Sequence, residues 1–472
     1  MSGPSNLHET PTSRLAAPPQ GVFRSLTWIG PMLLLLGTAI GSGELLVEPA
    51  TAARYGGSLF WAILFIIVTK ALWNEAIGRV SIVTGQSFLE SCSGGGPVVS
   101  WVPWAWYAVN VLKDFFLRGG IIGIGGIICY DAFGPLPLLH QIEDFPARYH
   151  IVTWTLVNYV IVWCLLLAGG YRLAETVNTV LSLLFTACLV TCAVAVLPRA
   201  TEELVSGLVP QLPTENEQWL MLMALAGIVM SGSTTVFYSA WAEERQMGLF
   251  GHVRRTGHRL TRDEIEPKSS EEEKHMFGWL RVNTLNVTIC YVLGALICMS
   301  TFILGIAVLR PAGVTLKGAE LAPELSMMMT QVAGPWAKNV FYVGAYAAVI
   351  STTIGILDGG SRMYVQPLGR VFPTLRKRLA TATGRRIIMT LMVIGCASVY
   401  ALVPDALKLV LWMGAVDAPL VGVLIAAYAY LVRCYLPQAY RRGLIWTLAM
   451  VPVGGLYFAL GVFYLVLLLK AL

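Results

Sequence analysis

The stretch from Trp28 to Arg54 constrains the fold more than any other part of the chain. Near its middle this apolar run contains two glycines, a serine and two carboxylates: Gly41, Ser42, Gly43, Glu44 and Glu48. A membrane-spanning helix needs about 20 apolar residues, which this stretch supplies. Glycine loosens a helix, and backbone that leaves a helix at bilayer depth must be enclosed by protein or face water. The stretch therefore predicts a discontinuous helix beside a binding site at the membrane midplane.

The composition places the whole chain in a lipid bilayer. Of its 472 residues, 56% are hydrophobic and 13% are charged, whereas soluble domains carry about 25% charged residues. The net charge of +6 does not indicate nucleic-acid binding, because the basic residues lie in loops between apolar runs. No phosphate-binding loop, histidine cluster or activated nucleophile is recognisable. We therefore expect no enzyme activity, no cofactor and no obligate protein partner.

Eleven apolar spans are predicted, giving an all-α integral membrane protein. Their approximate positions are 28–54, 57–78, 101–131, 150–168, 171–197, 217–241, 277–309, 331–357, 385–403, 405–432 and 444–470. Lys and Arg concentrate in alternate loops, including the long loop 242–276, which predicts a cytoplasmic N-terminus and an outside C-terminus. The short tails and the lack of a targeting segment favour a bacterial inner membrane.

The spans divide into two matched sets of five. We predict a disordered cytoplasmic tail at 1–24, a first repeat at 25–197, an extracellular loop at 198–216, a second repeat at 217–432 and an eleventh helix within 433–472. Because five is odd, the second repeat is inverted relative to the first, and its opening span should break as the first one does. It contains such a break, a run of small polar residues: Ser231, Gly232, Ser233 and Thr234.

Several motifs resemble the natural resistance-associated macrophage protein (Nramp) family, which imports divalent transition metals with protons. The motifs are Gly30-Pro31, Tyr55-Gly56-Gly57, Val83-Thr84-Gly85, Ser351-Thr352-Thr353, Arg385-Arg386 and Pro419. The resemblance implies the leucine-transporter type of inverted-repeat fold. It also implies that a divalent cation is the transported substrate, moved by a secondary-active mechanism.

The chain departs from the family at its metal-binding motifs. The family's Asp-Pro-Gly-Asn in helix 1 is replaced by Gly41-Ser42-Gly43-Glu44, and its Met-Pro-His in helix 6 by Ser231-Gly232-Ser233. The aspartate, asparagine and methionine that hold the metal are therefore absent, and Met230 lies one residue before the methionine position. Oxygen ligands favour harder cations than a thioether does, so Mg²⁺, Ca²⁺ or Mn²⁺ is expected.

Glu44 is the leading candidate ligand, for metal or proton, because a carboxylate at the bilayer centre costs about 2.5–3.5 kcal/mol. The alternative is a structural cap on the following half-helix. Asp417, in the tenth span, is a second candidate metal ligand, although it is alternatively the partner of a buried lysine, for which Lys70 is available. The polar residues of both breaks are predicted to bind substrate, or else to pack helices closely.

Four charged residues are candidates for a proton pathway: Glu48, Asp114, Arg385 and Arg386. Glu48 is equally well interpreted as a hydrogen-bonded or solvated acid. Asp114 occupies the place of a family proton-path aspartate, but Lys113 and Arg118 flank it and oppose proton uptake. The arginine pair is alternatively a cytoplasmic anchor.

Two other functions remain open at this point. The glycine- and serine-rich breaks also suit amino-acid transporters of the same fold, in which half-helix N-termini bind a carboxylate. A small organic solute is therefore the alternative substrate. A sensor that keeps the scaffold without transport is the second alternative.

Overall fold

The computed structural model describes residues 14–39, 43–136, 146–167, 171–314, 316–371, 373–379 and 381–471. Within them the protein is built from α-helices joined by turns, and no strand is present. The helices of the first half are α1 (Val22–Leu26), α2 (Gly30–Ala39), α3 (Glu48–Tyr55), α4 (Phe60–Thr84), α5 (Phe88–Gly94), α6 (Val102–Phe133), α7 (Ala147–Leu167) and α8 (Tyr171–Ser206).

The second half contains seven longer helices and five of eight residues or fewer, which lie between the longer ones. They are α9 (Asn216–Ile228), α10 (Phe237–Glu244), α11 (Phe250–Thr256), α12 (Arg262–Ile265), α13 (Ser270–Leu304), α14 (Arg310–Ala312), α15 (Leu321–Ala333), α16 (Ala337–Val371), α17 (Arg376–Leu379), α18 (Ala382–Leu402), α19 (Ala406–Cys434) and α20 (Leu444–Ala471).

The long helices are apolar on all sides, as expected where one face packs on protein and the other meets lipid. Nine stretches of the described chain are long and apolar enough to cross a membrane. The first of these, Gly30–Thr84, covers the predicted first and second spans. The predicted third span corresponds to α6, whose apolar part is Gly119–Phe133.

The broken helices lie at the centre of the packing. Helix α9 packs against α19, and α19 also packs against α6 and α20. Helix α13 contacts α3 and α4, and α16 contacts α2. The elements that carry the predicted site are therefore enclosed by long helices, which keeps their polar groups away from the lipid.

Part of the predicted disordered tail is ordered, which corrects that expectation for the residues from Arg14 onward. Leu15 is fully buried, and the carbonyl of Ala16 accepts a hydrogen bond of 2.9 Å from the indole of Trp279. The Arg14 guanidinium also pairs with Glu272. These contacts bind the segment to α13, which its polar composition does not reveal.

Candidate functional site

The chain leaves the α-helical conformation between α9 and α10, as predicted for the sixth span. Helix α9 ends at Ile228, and a 3-10 turn from Val229 to Val236 leads into α10. Met230 and Gly232 have positive φ angles of 53° and 48°. A Cβ atom on Gly232 would lie 1.9 Å from the Gly227 carbonyl oxygen, so only glycine fits there.

The first break lies directly against the second. Gly41 and Ser42 lie outside the described residues, and the described chain resumes at Gly43 with a π turn from Gly43 to Val47. A Cβ atom on Gly43 would lie 3.0 Å from the Cα of Val229. The close approach of the two backbones therefore depends on a residue without a side chain.

Glu44 links the two breaks through a hydrogen bond. Its side chain has no exposed surface, and its Oε1 accepts a bond of 2.9 Å from the Met230 amide. The Met230 carbonyl accepts a longer bond, 3.4 Å, from the Tyr291 hydroxyl. These two contacts hold Met230 in the left-handed conformation, which otherwise costs about 1–3 kcal/mol. Among the described residues, the other carboxylate oxygen, Oε2, has no hydrogen-bond partner.

Glu48 lies one turn after Glu44 and is also fully buried, so the interpretation as a solvated acid does not hold in this conformation. Its Oε2 accepts a bond of 2.9 Å from the Thr301 hydroxyl on α13. The Cys298 thiol lies beside the same carboxylate. Oε1 of Glu48 has no hydrogen-bond partner in the described part of the chain. The two neighbouring acids thus each keep one oxygen available.

Asp417 is fully engaged by other groups of the protein. Its Oδ2 accepts a bond of 2.8 Å from the Ser233 amide, and its Oδ1 lies 3.0 Å from the Lys113 ammonium. The Ser233 hydroxyl also donates to Oδ1. Asp417 thus pairs with a buried lysine, as the alternative interpretation had it, but the lysine is Lys113 and not Lys70. The rotation of α6 about its axis decides this pairing, and apolar patterning does not reveal it.

Lys113 belongs to a polar stripe on α6 that faces the second break. The Trp106 indole donates to the Ser233 carbonyl over 3.0 Å, and the side-chain amide oxygen of Asn110, Oδ1, lies 3.2 Å from the Ser233 hydroxyl. Lys113 itself donates to that hydroxyl over 2.8 Å. The spacing of these three residues, four and then three apart, puts them on one helix face. Sequence reasoning missed this stripe, although the spacing was present.

Lys70 on α4 is bound by main-chain oxygens. Its ammonium donates to the Gly227 carbonyl over 3.1 Å and also to the Val229 carbonyl. Its side chain is only 1% exposed. The negative charges of Asp417 and Glu44 act on it through space.

Among the remaining predicted site residues, Thr234 belongs to the second break itself, whereas Arg385 and Arg386 lie elsewhere. The side chains of Ser231 and Asp114 are outside the described part of the structure. Thr234 is buried within the 3-10 turn. Arg385 lines an open cavity of about 540 Å³ near Glu243 and Arg254. Arg386 donates over 3.2 Å to the Leu167 carbonyl on the surface.

The centre can therefore attract a cation, but it is not a preformed cage of side chains. In the described residues, no three His, Cys, Asp or Glu side chains come together in a way that could hold a metal ion. Three buried carboxylates (Glu44, Glu48, Asp417) face two buried ammonium groups (Lys70, Lys113). Since Asp417 is paired with Lys113, Glu44 and Glu48 are the carboxylates of this centre that have no salt bridge among the described residues.

Comparison with known proteins identifies relatives along the whole chain. The family model described as natural resistance-associated macrophage protein-like matches residues 38–467. The divalent metal cation transporter MntH of Deinococcus radiodurans is 22% identical over 382 residues, which cover 80% of this chain and 78% of that protein.

Solved structures agree on the fold. A variant of the manganese transporter of Eremococcus coleocola superposes with a TM-score of 0.62 at 13% identity, covering 93% of this chain and 86% of that one. MhsT in complex with L-phenylalanine gives 0.55 at 15% identity, covering 92% and 98%. Both the broken helices and these likenesses are those of the leucine-transporter type of fold. The chain is an integral membrane protein and belongs to the natural resistance-associated macrophage protein-like family.

Proposed function

We propose that this protein is a secondary-active transporter of a divalent metal cation, which binds where the two breaks meet. The observation that carries the proposal is the Glu44–Glu48 pair. Both carboxylates are fully buried and one turn apart, and each has an oxygen without a hydrogen-bond donor among the described residues. Buried like charges repel each other, and burial without a partner costs several kcal/mol per ion. An arriving cation supplies the missing partner.

The relatives support the substrate class. The Deinococcus radiodurans relative is named a divalent metal cation transporter, and the Eremococcus coleocola structure is of a manganese transporter. Glu44 takes the role of the primary ligand in this chain, with Glu48 beside it. Asp417, predicted as a second ligand, is held by Lys113 in this conformation and contributes only after that pair separates.

The donors near the pair favour a hard cation. Most donors at this place are oxygens, the carboxylates of Glu44 and Glu48 and the hydroxyl of Thr301, and the Cys298 thiol is a soft donor beside Glu48. The Met230 thioether packs instead against α13, where a Cβ atom on Gly294 would lie 2.6 Å from its sulfur. Oxygen donors suit Mg²⁺, Ca²⁺ and Mn²⁺, and a soft thioether is what would favour softer metals.

Alternating access around this point requires both breaks to change together. The Glu44–Met230 hydrogen bond joins them, so a cation that competes for Glu44 alters the contact between the two repeats. Substrate binding and conformational change are thus coupled through the same carboxylate, as differential binding requires. We place the protein in the bacterial inner membrane, where the excess of Lys and Arg in alternate loops supports a cytoplasmic N-terminus. Coupling of transport to protons stays a prediction.

The direct test is metal uptake into proteoliposomes by the wild type, Glu44→Gln and Glu48→Gln. We expect saturable uptake of Mn²⁺ or Mg²⁺ by the wild type and a loss of at least tenfold in Glu44→Gln. Glu215→Gln is the matched control, because that acid is exposed at the start of α9 and makes no side-chain cap there. Equal uptake by wild type and Glu44→Gln contradicts the site. Uptake of amino acids without any metal uptake would favour the organic-solute alternative.

A further inference from the structure

The end of α9 presents main-chain oxygens that have lost their helical partners. The last carbonyls of a helix have no N–H group one turn ahead. Helix α9 ends at Ile228, where the chain turns into the 3-10 segment. The Gly227 and Val229 carbonyls both point to the Lys70 ammonium, which lies 3.1 Å from the Gly227 oxygen. These oxygens and the position of Lys70 define what we call the carbonyl cradle.

The carbonyl cradle has the chemistry of a cation site. Main-chain carbonyls at the C-terminal end of a half-helix carry the negative end of the helix dipole, and such oxygens bind hard cations in broken-helix transporters. Two acids reinforce the field, Glu44 from the first break and Asp417 from α19, whereas Lys113 from α6 opposes it. The thiol of Cys298 on α13 also faces this region.

Core packing alone is a poor explanation for a lysine at this place. Burying an ammonium group is expensive, and an apolar side chain of similar volume is often as stable or more stable. In the described part of the chain, Lys70 donates hydrogen bonds to carbonyl oxygens and forms no salt bridge with a carboxylate. The carbonyl cradle therefore binds the Lys70 ammonium group through the same oxygens that would bind a free cation.

We propose that Lys70 is a tethered cation that fills a monovalent cation site at the end of α9. The protein consequently needs no free cation at this position to hold its second break in shape. Removing the side chain beyond Cβ should convert the cradle into a binding site for a small monovalent cation, such as Na⁺, K⁺ or methylammonium. This inference goes beyond the proposed transport function and does not depend on which substrate is carried.

The test measures thermal unfolding of the purified full chain in detergent at constant ionic strength. Wild type, Lys70→Ala and Lys70→Met are compared in choline, sodium, potassium and methylammonium chloride. We expect Lys70→Ala to melt at a lower temperature than wild type in choline, and its melting temperature to rise saturably with at least one small cation. Wild type and Lys70→Met should respond to none, because ammonium or methyl groups fill the cradle in them.

Three outcomes would overturn the proposal. The first is a Lys70→Ala melting temperature that is the same in all four salts. The second is a Lys70→Met variant that responds to small cations as strongly as Lys70→Ala does. The third is a Lys70→Ala protein that cannot be isolated in any of the salts while Lys70→Met can, since an open cradle should accept a free ion. Absence of metal uptake by wild type would overturn only the transport proposal, because these melting curves contain no divalent metal.

Discussion

Replacing Asp417 by asparagine removes the negative charge from a pair that joins α19 to α6 and to the second break. The carboxylate lies 3.0 Å from the Lys113 ammonium, and both side chains are 1% exposed. Asparagine keeps the shape and still accepts the bond from the Ser233 amide. The change therefore leaves Lys113 as an uncompensated buried charge, with the packing otherwise unaltered.

The size of the effect follows from this burial. Breaking a buried ion pair by removing one partner costs about 3–5 kcal/mol, and no discount for solvent applies to side chains this enclosed. Lys113→Met alone should cost less than Asp417→Asn, since the carboxylate keeps both donors from Ser233. Combining the two substitutions removes both charges. The double variant's loss of unfolding free energy should therefore be smaller than the sum of the two single losses, by about 2 kcal/mol or more.

The assay is reversible unfolding in mixed micelles, monitored by helical circular dichroism, for the four members of this cycle. The pairwise coupling is obtained from the four unfolding free energies. Strictly additive losses would refute the claim that these charges stabilise each other. A single Asp417→Asn loss below 1 kcal/mol would refute the assignment of an enclosed pair.

Two further predictions concern packing and surface charge. Gly227→Ala should destabilise the fold by about 1–3 kcal/mol or more, because its Cβ would lie 1.7 Å from the Gly414 carbonyl oxygen; Gly455→Ala, with open space around it, is the control in the same melting assay, and equal stability of the two variants would contradict the close packing. Arg310→Gln should lower the free energy of unfolding by no more than about 1 kcal/mol, since the Arg310 and Glu203 side chains are 43% and 39% exposed. A larger loss of unfolding free energy, measured at high salt, would contradict this.

The sequence was informative about where the helices break. Small polar residues in otherwise apolar spans predicted both interruptions, and the second one is present, with positive φ angles at Met230 and Gly232. The described part of the first interruption starts at Gly43, with the π turn. Such breaks can be predicted because they depend on neighbouring residues in the sequence: on the backbone preference of glycine and on the cost of exposing polar groups to lipid.

The side-chain pairs that form between helices were harder to predict from the sequence. Lys70 was the available partner in the alternative interpretation of Asp417, yet Lys113 makes that contact and Lys70 binds carbonyl oxygens. Which residues meet depends on the rotation and offset of mostly apolar helices, and the short polar stripe of α6 indicates an inward face without indicating which helix it meets. The substrate-binding roles of Glu44 and Asp417 likewise stay predictions, because a sequence fixes neither the metal nor its ligands.

The central claim is that a divalent cation binds to Glu44 where the two breaks meet. Crystals of the wild type grown with Mn²⁺ and measured at the manganese absorption edge test it most directly, with Glu44→Gln crystals as the control. The account predicts one anomalous peak within direct coordination distance of the Glu44 carboxylate, absent in Glu44→Gln. A peak that persists in Glu44→Gln, or that lies away from both breaks, would contradict it.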